Sequence, residues 1–224
     1  MKTMTQEILS LQDFADKKEK IVVETIEVPK NKNIYFFTKR VFDIVASAVL
    51  LIVFLVPMLL LTLIVAIDTK ASPIYRQVRL GLNEKPFVLL KFRSMRKDAE
   101  RNGARWAAQD DPRITKFGRI IRKFRIDELP QLLNILAGSM SFVGPRPERP
   151  EFYDVFDTYI DGYRQRMKVM PGLTGHAQVN GGYELQPEEK IIYDIEYIRN
   201  CSFGFDLQCL LRTVSTVFCS KGAR

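Results

Sequence analysis

Two adjacent acids, Asp127 and Glu128, stand in "FRIDELPQLLNIL" (124–136) between a run of bases and a leucine-rich segment. Asp127 can cap a helix by accepting from backbone N–H groups at its start, with Pro130 tolerated in the first turn. An ionised carboxylate at a positive helix end can also do chemistry as a nucleophile. Leu129, Leu132, Leu133 and Leu136 follow at helical spacing and predict one apolar face, which Gly138 ends. The bases just before the pair, Arg119, Arg122, Lys123 and Arg125, are unopposed by any acid within 113–125. Arginine forks suit phosphate oxygens.

The elements that position these residues belong to a chain of 224 residues, long enough for one domain with a real core. Its 34 basic and 26 acidic residues give net +8, which points to anionic partners. Three cysteines without paired metal spacing fit a reduced compartment. The only histidine, His176, excludes His-rich metal sites. P-loop and Rossmann glycine patterns are absent from the sequence.

Ile44 to Ile67 carries no charge over about 24 residues, where about 20 suffice to cross a bilayer. Pro57 interrupts it, leaving arms of about 20 and 15 Å, each too short to span a hydrocarbon core of about 30 Å. Lysines and arginines flank it evenly, Lys39 and Arg40 among them, so charge chooses no orientation. Both features favour a helix that dips in, bends at Pro57 and returns to the same face.

Residues 1–36 read as an arm, mobile or peripheral, 37–70 as the membrane helix, and 71–224 as a catalytic domain. "PIYRQVRLG" and "KPFVLLKFRSM" around "LNE" predict a hairpin. "RITKFGRIIRKFR" (113–125) predicts a basic amphipathic helix, equally suited to an anionic membrane surface or to a solvated face over a core. Pro187 opens a helix with Ile191, Ile192, Ile195 and Ile198 on one face, and Phe205–Phe218 repeats the pattern. Periodicity leaves core and interfacial placements open for both. The expected class is α+β, mainly helical: a re-entrant membrane helix, amphipathic interfacial helices and a small β-hairpin around one catalytic domain.

An apolar segment introduced by "TKRVFDI", then "KFRSM", "DELPQL", "SFVGPRP" and "PGLTGHAQVNG" in this order, closely resembles the bacterial sugar transferases of the monotopic polyprenyl-phosphate phosphoglycosyl transferase family. The resemblance covers about residues 36–224. It implies transfer of a sugar 1-phosphate from a UDP-sugar to polyprenyl (undecaprenyl) phosphate, initiating assembly of a polysaccharide or glycoprotein glycan. It places the chain at the cytosolic face of the bacterial cytoplasmic membrane, on a re-entrant helix among phospholipids. By motif position, Asp127 would be the nucleophile, Glu128 the Mg2+ ligand and Arg146 a phosphate contact. Arg122, Lys91 and Arg93 match further basic positions, and His176 receives no catalytic role. Nucleic acid is not an expected partner, and assembly with copies of itself stays open.

Displacement at a diphosphate needs cations around it, because its charges repel an incoming carboxylate. Mg2+ takes few protein carboxylates beside substrate oxygens and water, so one Glu can suffice. The competing reading is a membrane-anchored basic module that binds lipid or nucleic acid without catalysis. It leaves the acid pair and both stiff loops without a task.

Overall fold

A computed structural model describes residues 15–16, 18–99, 111–182 and 185–218. Among these the chain is mainly helical with three two-stranded sheets, as the expected α+β class requires. The first residues of the arm and Cys219 lie outside the described residues.

Residues 21–26 of the arm pack onto the domain. β1 (Ile21–Val22) pairs in parallel with Ile160–Asp161, and Ile26 is buried in the main core. Gln165 Oε1 accepts from the Ile26 N–H at 2.7 Å. Ile26, with Val23 and Val28 packed against the same core, and a strand edge therefore fasten this segment to the domain.

The apolar run forms two helices, α1 (Asn33–Val53) and α2 (Leu55–Thr69), bent by 65°. The break falls at Phe54, not at Pro57. Pro57 has no N–H for the Val53 carbonyl four residues earlier, and its ring excludes that carbonyl, so the chain turns one helical turn upstream. Neither helix alone is long and apolar enough to cross a membrane; the bent pair passes that test together. Beyond the bend the apolar side chains face outward: Val56, Leu59, Leu63 and Ile67 are all exposed, as is Ile52 just before it.

Both feet of this pair stand on the same domain. Tyr35, Lys39, Asp43 and Ser47 of α1 are buried. Asp43 accepts from the Phe142 N–H at 3.0 Å, and Lys39 pairs with Asp206 at 2.6 Å. Tyr35 and Tyr197 donate to the same Asp206 carboxylate at 2.8 and 2.7 Å. The other foot buries Val65 of α2 against Phe92 and Ile121, and Asp68 accepts from Thr115 Oγ1 at 2.5 Å.

β2 (Ile74–Leu80) and β3 (Pro86–Phe92) form the expected hairpin, antiparallel with Tyr75 opposite Lys91. α3 (Lys116–Lys123) is shorter than the basic helix read from the sequence. Thr115 caps it, accepting from the Gly118 N–H, while Arg113 folds onto Asp111 at 2.6 Å outside the helix. Its apolar residues divide: Ile121 enters the core, and Ile120 and Phe124 stay exposed. α4 (Gln131–Ala137) ends at Gly138, whose φ of 88° is left-handed. Arg40 donates to the Ile135 and Leu136 carbonyls at 2.6 and 2.8 Å, placing a cation at the negative helix end. A Cβ on Gly138 would lie 3.0 Å from that guanidinium. The predicted leucine face is only half buried: Leu132 is covered, but Leu133 and Leu136 are exposed.

β4 (Ser141–Val143) leads through α5 (Pro150–Phe156) and β5 (Ile160–Asp161) to β6 (Gly172–Thr174), its parallel partner. α6 (His176–Asn180) follows at once. α7 (Pro187–Asn200) carries a capping box from Gln186 and Glu189, and buries Ile191, Ile195 and Ile198 while exposing Ile192. α8 (Phe203–Phe218) buries Cys209 and exposes Leu207, Leu211 and Val214 as an outward apolar stripe.

Candidate active site

Asp127 and Glu128 do not cap α4. They occupy a single 3-10 turn, Ile126–Glu128, between α3 and α4, and neither side chain caps the helix that follows. Arg125 enters this turn with a left-handed φ of 54°, which reverses the chain. Both acids are buried, at 8% and 7% exposure. Burial at this level selects carboxylates whose charge is matched nearby.

The matching charges differ. Arg146 donates to Glu128 through both terminal nitrogens, at 2.5 and 3.4 Å. Burial pushes the Glu128 carboxyl up, but the Arg146 charge and hydrogen bonds outweigh it and hold it below the usual range. Asp127 has the opposite balance. Burial, followed by the Glu128 charge, raises it to about 6 against the opposing cations Lys91, Arg122 and Arg146. Two neighbouring carboxyls are thus separated in acidity by their surroundings.

Those cations line a cavity of about 370 Å³. Lys91, near the end of β3, and Arg93, just beyond it, both approach the Tyr75 ring, at 5.6 and 5.5 Å from its centroid. Burial, then the neighbouring Arg79, lowers the Lys91 amine to about 8. Arg93 also donates to the Ser72 carbonyl at 2.8 Å. Arg122 comes from the last turn of α3 and Arg146 from the proline loop.

That loop is held by backbone. The Gly144 N–H donates to Thr174 and the Gly172 N–H to Pro145, both at 2.9 Å. A Cβ on Gly172 would sit 2.1 Å from the Gly144 nitrogen. Glycine here lets the two motif loops touch, and Pro145 and Pro147, both buried, fix the course between them.

Several cavity residues carry no motif of their own. Arg79 donates to Glu148 at 3.1 Å, and Lys190 of α7 reaches the same carboxylate at 3.9 Å. Burial raises Glu148, but Lys190 and Arg79 bring it below the usual range. Arg166, fully buried, pairs with Asp194 at 2.6 Å at the cavity wall. The alternation along β2 was the one local signal for Arg79. The flanking residues of the first membrane helix turn onto the domain: Lys39 of α1 is buried, and Arg40 of α1 reaches the C-terminal carbonyls of α4. His176 packs against Tyr193 and Phe205 and meets Glu196 and Asn180 at 3.1 Å, away from the acids' partners.

A second cavity, about 250 Å³, is apolar. Leu50 and Phe54 at the helix bend line it with Leu132, Phe142 and Leu210, and Glu128 lies at its wall. The arrangement can therefore hold a polyanion beside a buried carboxylate, with an apolar passage to the bend.

The family described as bacterial sugar transferase matches residues 34–220. The chain is 40% identical, over 85% of its length, to a UDP-N-acetylgalactosamine-undecaprenyl-phosphate N-acetylgalactosaminephosphotransferase of Aeromonas hydrophila, covering 46% of that protein. It is 38% identical, over 83% of its length, to a UDP-glucose:undecaprenyl-phosphate glucose-1-phosphate transferase of Escherichia coli (strain K12), covering 41% of it. A protein of the same description from Caulobacter vibrioides is 40% identical, with 83% of this chain and 71% of the relative covered. The chain thus spans less than half the length of the Aeromonas and Escherichia proteins.

Proposed function

The chain belongs to the bacterial sugar transferase family, and on that premise we propose that it transfers a sugar 1-phosphate from a UDP-sugar to polyprenyl phosphate. The observation that carries this reading is Asp127, a buried carboxyl raised to about 6 and surrounded by Lys91, Arg122 and Arg146. Lys91, Arg122 and Arg146 favour its ionised form, and these cations are those a diphosphate would engage.

The Asp127 carboxylate attacks the sugar-bearing phosphorus of the donor. The bond from that phosphorus to the bridging oxygen breaks, and UMP leaves with the electron pair. An oxygen of polyprenyl phosphate then attacks the phosphorus of this acyl phosphate, and the bond from phosphorus to the Asp127 oxygen breaks, which restores the carboxylate and completes a diphosphate-linked lipid sugar. Arg122, Arg146 and Lys91 hold the donor phosphates and offset the charge that builds on the leaving UMP. The acceptor phosphate is already ionised, so a general base would contribute little to the second step.

Glu128 is the residue that would hold Mg2+. It is a low-pKa carboxylate, and no group of three or more metal-ligating side chains occurs among the described residues. That donor set fits an ion completed by substrate oxygens and water. When bound, Mg2+ supplies further charge neutralisation at the diphosphate. Arg146, which grips Glu128 here, would then turn to the phosphates.

The apolar cavity suits the isoprenoid end of the acceptor, since it begins at the membrane-helix bend and reaches Glu128. A re-entrant pair at the cytosolic face of the cytoplasmic membrane is supported by its two feet on one domain. With the axis bent 65° from straight and equal tilts, α2, about 22 Å long, would reach about 12 Å deep, within one leaflet. Exposed Leu207, Leu211 and Val214 on α8 extend the lipid-facing surface.

The test is a donor-only reaction. Enzyme, Mg2+ and UDP-glucose or UDP-N-acetylgalactosamine, without lipid, should release UMP up to one per active site and add a sugar phosphate mass to the Asp127 peptide. Absence of burst and adduct with a donor that supports full turnover would refute the covalent route.

A further inference from the structure

The polar cavity and the apolar groove share two lining residues, Arg125 and Gln178. The Glu128–Arg146 pair crosses the same partition, with Glu128 on the groove and Arg146 on the cavity. Gln178 differs from the others in one respect. Its amide oxygen and nitrogen are both shielded from water, and neither has a hydrogen-bond partner. Among the described residues one other side-chain amide is in this state, that of Gln131, and it lines neither chamber.

An amide buried without partners disfavours the fold, so its place calls for a reason outside the folded chain. Its position is also constrained. A Cβ on Gly175 would come within 2.9 Å of the Gln178 amide oxygen and 2.1 Å of the Gly144 carbonyl. The side chain therefore rests beside the glycine contact that sets the Pro145–Pro147 loop, in the first turn of α6.

We propose that Gln178 turns out of this shielded position to contact the sugar phosphate in transit, its amide N–H donating to a phosphoryl oxygen and its carbonyl accepting from a sugar hydroxyl. The inference rests on the transfer reaction proposed above. In that reaction uridine belongs in the polar chamber and the isoprenoid in the apolar one. The transferred group is what must occupy the partition between them. A phosphoryl group offers acceptors and a sugar offers donors, and an amide is matched to both. The arginines and Lys91 neutralise charge; the amide adds orientation through directed hydrogen bonds.

The experiment uses the full chain with Mg2+ and UDP-glucose or UDP-N-acetylgalactosamine, first without lipid and then with undecaprenyl phosphate. Gln178→Leu and Gln178→Met remove the unpartnered amide, so thermal midpoints should hold or rise. Single-turnover UMP release at saturating donor should nevertheless fall at least tenfold. Gln178→Glu keeps the size but sets a negative charge against the phosphate, and should fall a hundredfold or more. Opposite movements of stability and rate are what a purely structural glutamine would not produce. Leu and Met variants within threefold of the parent, or both losing rate together with thermal midpoint, overturn the proposal. A parent that releases no UMP and makes no lipid product with either donor overturns the transfer reaction itself, and the inference with it.

Discussion

Arg146 clasps Glu128 with both terminal nitrogens, 18 residues away in sequence, and so joins the proline loop to the acid turn. The pair separates the roles of two adjacent carboxyls: Glu128 is neutralised by a fork, whereas Asp127 shares more distant cations and keeps a raised pKa. Arg146→Ala should leave a buried charge uncompensated and cost about 2–3 kcal/mol in urea unfolding, less than a fully buried pair because Arg146 is partly exposed. Arg146→Lys should recover stability in part but not the donor-only rate, since an ammonium cannot fork.

Asp127→Asn keeps the size of the side chain and relieves carboxylate crowding against Glu128. Its thermal midpoint should stay within a few degrees of the parent, while UMP release without acceptor disappears. Retention of turnover within about tenfold, roughly 1.4 kcal/mol of barrier, would exclude Asp127 as the nucleophile.

Lys91 sets an alkaline limit. Its amine, lowered to about 8 by burial and then by Arg79, is a cation below that pH and neutral above it. Donor kcat/KM should therefore decline as pH rises through about 8. In Lys91→Arg the charge persists, and the decline should move up by more than one pH unit. An unmoved alkaline limb would assign it to another group.

Lys39 and Asp206 bind the first foot of the membrane helix pair. Asp206→Ala strands Lys39 and the hydroxyls of Tyr35 and Tyr197, and should cost about 3–5 kcal/mol. Lys39→Met leaves the carboxylate with its two tyrosine donors and should cost less. Equal losses in chemical denaturation would show that the tyrosines do not support Asp206 independently.

Lys30 and Lys85 are both exposed, before and after the membrane helices. Single cysteines there, in a background without native cysteines, should both resist an impermeant thiol reagent in intact cells. Labelling of position 30 alone would mean that the helix spans. Pro57→Leu restores the donor for the Val53 carbonyl and should raise that labelling.

The sequence by itself determined the parts that depend on local order. The apolar run with its proline, the hairpin around "LNE", the helix opened by Pro187 and the acid pair among basic motifs are all readable from composition and short-range spacing. Only the tertiary structure decided what those parts face. Lys39 reads as a membrane flank but lies in the core, because its partner Asp206 is 167 residues away. The bend sits at Phe54, since a proline acts on the carbonyl one turn before it. Leu133 and Leu136 match a helical face yet stay exposed, as periodicity specifies a stripe but not how much of it a neighbour covers. Arg79, Glu148 and Lys190 have no motif to announce them, and Gln178 sits in a quoted motif whose pattern does not say what it faces. They meet because glycine backbones at 144 and 172 approach too closely for a side chain, and that contact brings distant segments to one cavity. Charge and hydrogen bonding act through space, so a linear pattern can nominate Asp127 and Glu128, but the fold alone assigns them different acidities.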